Sequence, residues 1–362
     1  MTDTLPPHFE DGLLDVGDGH ALYWRAHGDP AAPVMLVVHG GPGGAHNPSW
    51  GKFFDPAQWR VVFFDQRGCG RSTPFGKTAC NTLNDLVGDI EKLRTALGVE
   101  RWALFGGSWG TTLALAYGIA HPQRCTGFLL RGIFLARQQD IDWFIWDVRR
   151  IFPEAHAAFL DAIERASGSR PRDRDEVLAL AAAPLARYDA AGIALARAWS
   201  GFEAKLSSVQ PMPAAPVVLA AGAAPGDVAA PPGVAAPSTP AATAPAGTAG
   251  TPAGGAAVPP DPLEGQRRAV SMALLEHHYM AHELPAPDFL GRLSALQDHP
   301  CHIVHGRFDM VCPAEQALSL ARAWPGATVK IVDAAGHWTF EPGIEKALFA
   351  ASAALRDTLQ KA

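Results

Sequence analysis

The sequence predicts an α/β chain, a mostly parallel sheet covered by helices on both faces, and three observations predict it. Runs of continuous apolar residues recur along the chain, and a strand that is apolar on both sides is buried on both faces, as parallel strands are. Stretches with helical spacing lie between several of these runs, which is the alternation that parallel connections require. The glycine-rich and polar motifs all fall where the apolar runs end, and in such sheets ligands bind at the carboxyl ends of the strands.

Taken in order, "APVMLVVHGGPGG" is an apolar strand that runs into a glycine-rich loop, and "WRVVFFDQRGCGRS" is a second strand ending in a polar turn. "TLNDLVGDIEKLRTALG" reads as a helix, with Thr82 as N-cap, Asp85 behind it and Gly98 as C-cap. "RWALFGGSWG" is a third strand, and "TTLALAYGIA" continues it as a helix up to His121-Pro122. "TGFLLRGIFL", "HPCHIVHGRFD" and "ATVKIVDAAGH" supply three further strands. From about Ala136 to Leu284 strand signals stop, and helical patterns such as "DIDWFIWDVRRIF" and "RRAVSMALLEHHYM" take over. The expected organisation is a core domain of residues 1–135 and 285–362, with a helical cap of residues 136–284 inserted between strands. Within the cap, about 211–262 is mostly Ala, Pro and Gly, and Asp227 is its only charge before Asp261. Such a segment has little large apolar surface to offset chain entropy and is expected to be disordered.

Hydrophobic residues make up 48% of the 362 and charged residues 18%, so a large core is expected rather than global disorder. A net charge of -6 argues against a nucleic-acid partner. The sequence shows no cationic start before an apolar run and no apolar stretch long enough to span a bilayer, so no membrane association is expected. Five cysteines without paired spacing fit reduced thiols and a cytoplasmic location. There is no phosphate loop and no dinucleotide fingerprint, and neither a cofactor nor a metal is expected.

Gly106-Gly107-Ser108-Trp109-Gly110 matches G-x-S-x-G at a strand-to-helix junction, where a sharp turn would expose the serine hydroxyl. Acyl transfer needs a base beside such a nucleophile and a group that orients the base. Two later strand ends offer them: Asp309 after "IVHGRF" and His337 after the glycine turn of "IVDAAGH". The order Ser, Asp, His is that of the α/β-hydrolase fold. In this reading His337 takes the proton of Ser108, and Asp309 holds the imidazole. An oxyanion hole needs backbone N–H groups, one from Trp109 and one from "HGGPGG", where Gly41 is assigned with Gly40 as the fallback. His39 in that loop is read as shaping it rather than as a base. Asp65, Arg67 and Arg71 are read as bracing the turn that follows the second strand.

The motifs "HGGPGG", "DQRGCGRS", "GGSWGTTLALAY", "LRGIFL", "VHGRFD" and "GHWTFEP" resemble those of the prolyl aminopeptidases, or proline iminopeptidases, serine peptidases of the α/β-hydrolase class. The likeness runs from about Gly12 to Pro342, apart from the Ala/Pro-rich insert. It implies release of N-terminal proline from peptides, peptides with a free N-terminal proline as substrates, and the triad Ser108, Asp309 and His337. The family also holds the substrate's free amino group with cap glutamates in W-x-x-W-E and E-N-H-Y-F patterns. These stand here as "WSGFE" and "EHHYM", which implies Glu203 and Glu276, with Phe202 in place of a Trp and His277 and Met280 in place of Asn and Phe. Phe134 in "RGIFL" is the expected wall of the proline pocket. The rival readings are an esterase or aminopeptidase of broader specificity and a hydrolase-fold binding protein without turnover. "HPCHIVH" looks like a metal cluster but runs into a strand, and His277 and His278 are consecutive, so one helix face cannot carry both rings.

Overall fold

In the computed structural model, residues 8–209 and 264–361 are described. They build an eight-stranded sheet: β1 (His8–Gly17), β2 (His20–Gly28), β3 (Val34–Val38), β4 (Arg60–Phe64), β5 (Trp102–Ser108), β6 (Cys125–Ile133), β7 (Cys301–Gly306) and β8 (Ala327–Val332). The spatial order is β1-β2-β4-β3-β5-β6-β7-β8. From β4 onward every neighbouring pair is parallel, and β1/β2 and β2/β4 are antiparallel. The six parallel strands are those that the apolar runs mark. The β1–β2 hairpin is an addition to that reading, closed through Gly17, Asp18 and Gly19, all at positive φ.

Side chains alternate along each strand, and the two faces meet different helices. Leu36, Val38, Val62, Phe64 and Leu104 pack into one core cluster, with Leu86, Ile90 and Leu93 of α1 (Leu83–Ala96), Leu113 of α2 (Trp109–Ala120) and Leu320 of α8 (Glu315–Ala323). Met35, Val37, Val61, Phe63 and Phe105 face the other way, against Ile344, Leu348 and Leu355 of α9 (Pro342–Lys361) and the aromatic group Trp50, Phe53 and Phe54. Thr82 caps α1 through a reciprocal pair of bonds with Asp85. The helix ends one residue before the expected place, with Leu97 as C-cap and Gly98 beyond it at φ 63°, where a glycine carries the left-handed turn without Cβ strain.

Between β6 and β7 the described chain is helical: α3 (Gln138–Ile145), α4 (Pro153–Ser167), α5 (Arg174–Arg187), α6 (Ala190–Leu206) and α7 (Glu264–His278), which runs into a π-turn at Tyr279–Glu283. Asp173 and Asp189 cap α5 and α6 with their side chains. Phe202 of α6 lies flat against Phe159 of α4, with ring centroids 4.9 Å apart, and Trp199 meets Phe159 edge-on. The expectation of disorder for 211–262 falls outside the described residues. Among the described residues no helix is long and apolar enough to cross a membrane, and all five cysteines are unpaired.

Asp65, Arg67 and Arg71 lie in the turn after β4, two of them in buried networks. Asp65 accepts the His46 N–H, the His46 ring and the Arg71 N–H. Arg67, fully buried, forks onto both oxygens of Asp89 of α1 at 2.6 and 2.7 Å. A buried ion pair that loses one member leaves an uncompensated charge, at a cost of about 3–5 kcal/mol. Asp89→Ala is therefore expected to lower unfolding free energy by about that amount, measured by urea denaturation. A loss well under 1 kcal/mol would mean that water or Asp18 replaces the missing carboxylate.

Candidate active site

Strand β5 enters the sheet's carboxyl edge fully buried and turns into α2 at Ser108, which sits at φ 57°, ψ -129°. A non-glycine residue held there costs on the order of 1–3 kcal/mol and must be over-determined by its surroundings. The surroundings are crowded with backbone. A Cβ on Gly110 would overlap the carbonyl oxygen of Val38, and one on Gly107 would lie 2.5 Å from Arg131 Nε. Any side chain at either position would push α2 or Arg131 away and relax the turn.

Ser108 pairs in register with Ile133 of β6. Just before Ile133, Gly132 (φ 53°) lies against the imidazole of His337, where an added Cβ would stand 2.9 Å from Cε1. The β5/β6 register thus sets Ser108 beside the end of β6 against which the His337 ring lies. His337 Nδ1 lies 2.6 Å from Asp309 Oδ2, and Oδ1 of Asp309 accepts the N–H groups of Val311 and Cys312. Burial would push the Asp309 carboxyl up, but the His337 ring and these N–H groups outweigh it and hold it below the ordinary carboxylate value. Asp309 accordingly stays an anion, which is what orients an imidazole and stabilises its charged form. The Cys312 thiol stands beside this pair, and burial, then the Asp309 charge, raises it well above the usual thiol value.

Sequence reasoning did not place three further residues in the site. Two of them brace the His337–Asp309 pair. Arg131 of β6 donates from Nη1 to the His337 carbonyl at 2.8 Å. Burial lowers its guanidinium pKa, and its Nε has no partner. His305 accepts the Ile133 N–H at Nδ1, so its Nε2 carries the proton and donates to the Cys312 carbonyl at 2.8 Å. Gln66 is the third, joined to His39 and to Trp109. His302 bonds Thr328 and His299 bonds the Pro122 carbonyl, so the "HPCHIVH" histidines go to separate structural partners.

His39 is buried and neutral. Its Nε2 accepts the Gln66 N–H, its Nδ1 faces the Gly40 carbonyl, and desolvation lowers its pKa to about 4. Gly40 lies against Ser108, where an added Cβ would stand 3.2 Å from its Cβ, and Gly41 follows at φ 120°. Trp109 is the first residue of α2, and the first N–H groups of a helix have no partner within it. Ser271 of α7 donates to the Gly43 carbonyl at 2.7 Å, which fastens the far side of the same loop.

Glu203 of α6 and Glu276 of α7 meet carboxyl to carboxyl, and Trp199 Nε1 donates to Glu276 Oε2 at 2.6 Å. Both carboxyls are raised: Glu276 well above the ordinary value, by burial and then by the charge of Glu203, and Glu203 by burial, against the pull of His337, Arg268 and Arg131. Glu203 is therefore within electrostatic reach of the His337 ring. The end of α6 is tied to the His337 loop, since Trp338 N–H donates to the Ser207 carbonyl at 2.7 Å and Val209 N–H to Glu341. The departures from the E-N-H-Y-F pattern pack among the helices: His277 bonds the Leu178 carbonyl of α5, and Met280 is buried. Phe202 likewise lies in the aromatic stack with Phe159. Phe134 is buried at the end of β6, its backbone held by Thr111 and Thr112 of α2.

A parallel sheet with an antiparallel leading hairpin and a serine at a strained strand-to-helix turn defines an α/β hydrolase, and the α/β-hydrolase-fold model matches residues 33–184. The relatives narrow the class. Proline iminopeptidases of Xylella fastidiosa (strain Temecula1 / ATCC 700964) and Xanthomonas citri are each 36% identical over 342 residues, covering 92% of both chains. That of Arabidopsis thaliana is 35% identical over 97% of this chain and 85% of its own. The chain belongs to the proline iminopeptidase family. Solved structures agree on the fold: a proline iminopeptidase-related protein from Thermus thermophilus has a TM-score of 0.56 at 20% identity, covering 97% of this chain and 99% of that one. The proline iminopeptidase of Mycobacterium smegmatis gives 0.54 at 19%, covering 97% and 98%.

The raised Glu276 carboxyl links the site to stability. A carboxyl whose folded pKa is raised holds its proton more tightly in the folded chain. Its contribution is full below the unfolded carboxylate pKa of about 4.3 and is lost as pH rises through the folded value. Glu276→Gln removes that loss and keeps an acceptor for Trp199. The variant is expected to melt higher than the natural chain at about pH 8, with the advantage shrinking toward about pH 5. Thermal melts at the two pH values check it, and an equal difference at both would dissociate the pair from folding.

Proposed function

We propose that the chain is a serine exopeptidase that releases N-terminal proline through an acyl-enzyme. The observation that carries this reading is the facing carboxyl pair Glu203/Glu276 beside the His337–Asp309 pair. A buried carboxyl, Glu276, beside a half-buried one, Glu203, is what a cationic substrate end requires, since a charged amine leaving water needs a counter-charge and acceptors. The helices of 136–284 then act as a cap that measures the substrate from its N-terminus.

Ser108 Oγ attacks the carbonyl carbon of the N-terminal residue while His337 takes its proton. The oxygen becomes an oxyanion, received by the Trp109 and Gly41 N–H groups. Collapse breaks the peptide C–N bond, and His337 gives its proton to the departing amine. The acyl group stays on Ser108 as an ester. Water, deprotonated by His337, attacks that ester, and the second tetrahedral state expels Ser108 Oγ, which takes the proton back from His337, and frees the amino acid. Asp309 stays ionised throughout and stabilises the imidazolium. Phe134 walls the ring of the proline. Unpaired and mostly buried thiols suit a reducing, cytoplasmic setting.

Ser108→Ala is expected to leave a folded protein with kcat lower by on the order of a millionfold, and near-normal turnover would refute the serine mechanism. Glu203→Gln or Glu276→Gln should lower kcat/KM on prolyl naphthylamide by roughly thirty- to several-thousand-fold. Hydrolysis of p-nitrophenyl acetate, which has no amine, should fall far less. Equal loss on both substrates would make the glutamates structural, and no loss on either would favour an esterase. A fluorophosphonate that fails to label Ser108 would favour a binding protein without turnover.

A further inference from the structure

We infer that Gln66 is a positioning residue that sets the two halves of the oxyanion hole at their working separation. The inference rests on the serine reading above. The two N–H groups assigned to the oxyanion come from different elements: the loop after β3 carries Gly41, and the start of α2 carries Trp109. Their separation is not fixed by either element alone. Gln66, in the turn after β4, touches both. Its Nε2 donates to the His39 carbonyl at 2.8 Å, and its Oε1 accepts the Trp109 indole N–H at 2.9 Å. Its own backbone N–H donates to His39 Nε2 at 3.0 Å.

That last bond fixes the histidine tautomer. Since Nε2 accepts, Nδ1 carries the proton and donates to the Gly40 carbonyl at 2.8 Å. Gly40 is thereby oriented on one side and presses on Ser108 on the other. His39, Gln66 and Trp109 are each at most 2% exposed, so no water competes for these bonds. The amide is used at both ends, one donor and one acceptor, and it supplies both at any pH, whereas a carboxyl of the same length does so only while protonated. Trp109 is backed by Tyr279, with ring centroids 4.6 Å apart, and Tyr279 donates to Asn81 Oδ1. The indole therefore cannot swing away from Gln66 without disturbing the π-turn after α7.

A residue that acts only on oxyanion donors affects the tetrahedral state and not the bound substrate. The test compares Gln66→Met, which removes both bonds, with Gln66→Glu, which keeps the shape. In Gln66→Met kcat on prolyl naphthylamide is expected to fall roughly 10- to 100-fold with KM within about threefold. Affinity for prolyl boronic acid, in which Ser108 Oγ adds to boron as a tetrahedral adduct, should fall in step with kcat. Affinity for free proline should hold. In Gln66→Glu a protonated acid reproduces the amide donor and a carboxylate opposes the His39 carbonyl. The ratio of its kcat to that of the natural chain should therefore decline as pH rises. Every group other than position 66 is the same in both proteins, so the ratio reports the substituted side chain. The ionisable groups around position 66 are Asp65, Arg67, His39 and Cys69, with His46 bound to Asp65 and Arg268 of α7 within electrostatic reach of His39 and Cys69. His39 and Cys69 are held neutral by burial, and none of these groups is changed by the substitution.

Undiminished boronate affinity in Gln66→Met, equal losses for boronate and proline, or a flat pH ratio for Gln66→Glu would each overturn the positioning role. If Gln66→Met does not fold, the pH ratio of Gln66→Glu decides alone. Failure of the natural chain to form a boronate adduct on Ser108 would instead overturn the serine reading, and the positioning role with it.

Discussion

The left-handed backbone of Ser108 is the constraint on which the rest of the site depends. A serine at φ 57° is stable only if its neighbours permit nothing else, and here they do not. Val38 approaches from β3 so closely that position 110 must lack a side chain, and Arg131 approaches from β6 so closely that position 107 must lack one too. The sheet holds β3 and β6 on either side of β5. Tertiary structure thus enforces a local conformation that the residue would not adopt by itself.

Around that turn the chain keeps several ionisable groups wholly or partly out of water, and it sorts them by charge state. His39 and His305 are neutral and serve as oriented bonding groups. Asp309 is an anion because hydrogen bonds and a histidine ring outweigh burial. Glu203 and Glu276, with each other for company, resist ionisation. Depressed and raised carboxyls a short way apart leave Asp309 charged beside His337 while Glu203 and Glu276 hold their protons more tightly. Arg131 belongs to both groups, since its field reaches Asp309 and Glu203 alike.

Much of this was legible in the sequence, for reasons that also mark where legibility stops. The parallel strands show because both their faces are buried, which leaves continuous apolar runs. The β1–β2 hairpin does not show that way, because antiparallel strands at the sheet's edge mix charged and apolar residues, as in "HFEDGLLDVG". The strained turn at Ser108 and the pairing of Asp309 with His337 are legible because a G-x-S-x-G junction and strand-end loops have local signatures. The roles of Arg131, His305 and Gln66 are not, because their partners are remote: Arg131 bonds a residue 206 positions away, His305 one 172 away, and Gln66 one 43 away. Gly98 is displaced by one residue from the expected cap because a glycine in the left-handed turn stands beyond the last helical carbonyls rather than at them. The departures from the family patterns at 202, 277 and 280 lie within the helical layer, where Phe202 stacks on Phe159, His277 bonds the Leu178 carbonyl and Met280 is buried.

The two sides of the cap are held separately. Trp338 holds Ser207, and Glu341 holds Val209 while also accepting the Gly336 N–H. On the far side Ser271 grips Gly43. The helix that ends before 209 and the helix that begins at 264 are each moored to the loops of the site by bonds of their own, so the hold on one does not pass through the other.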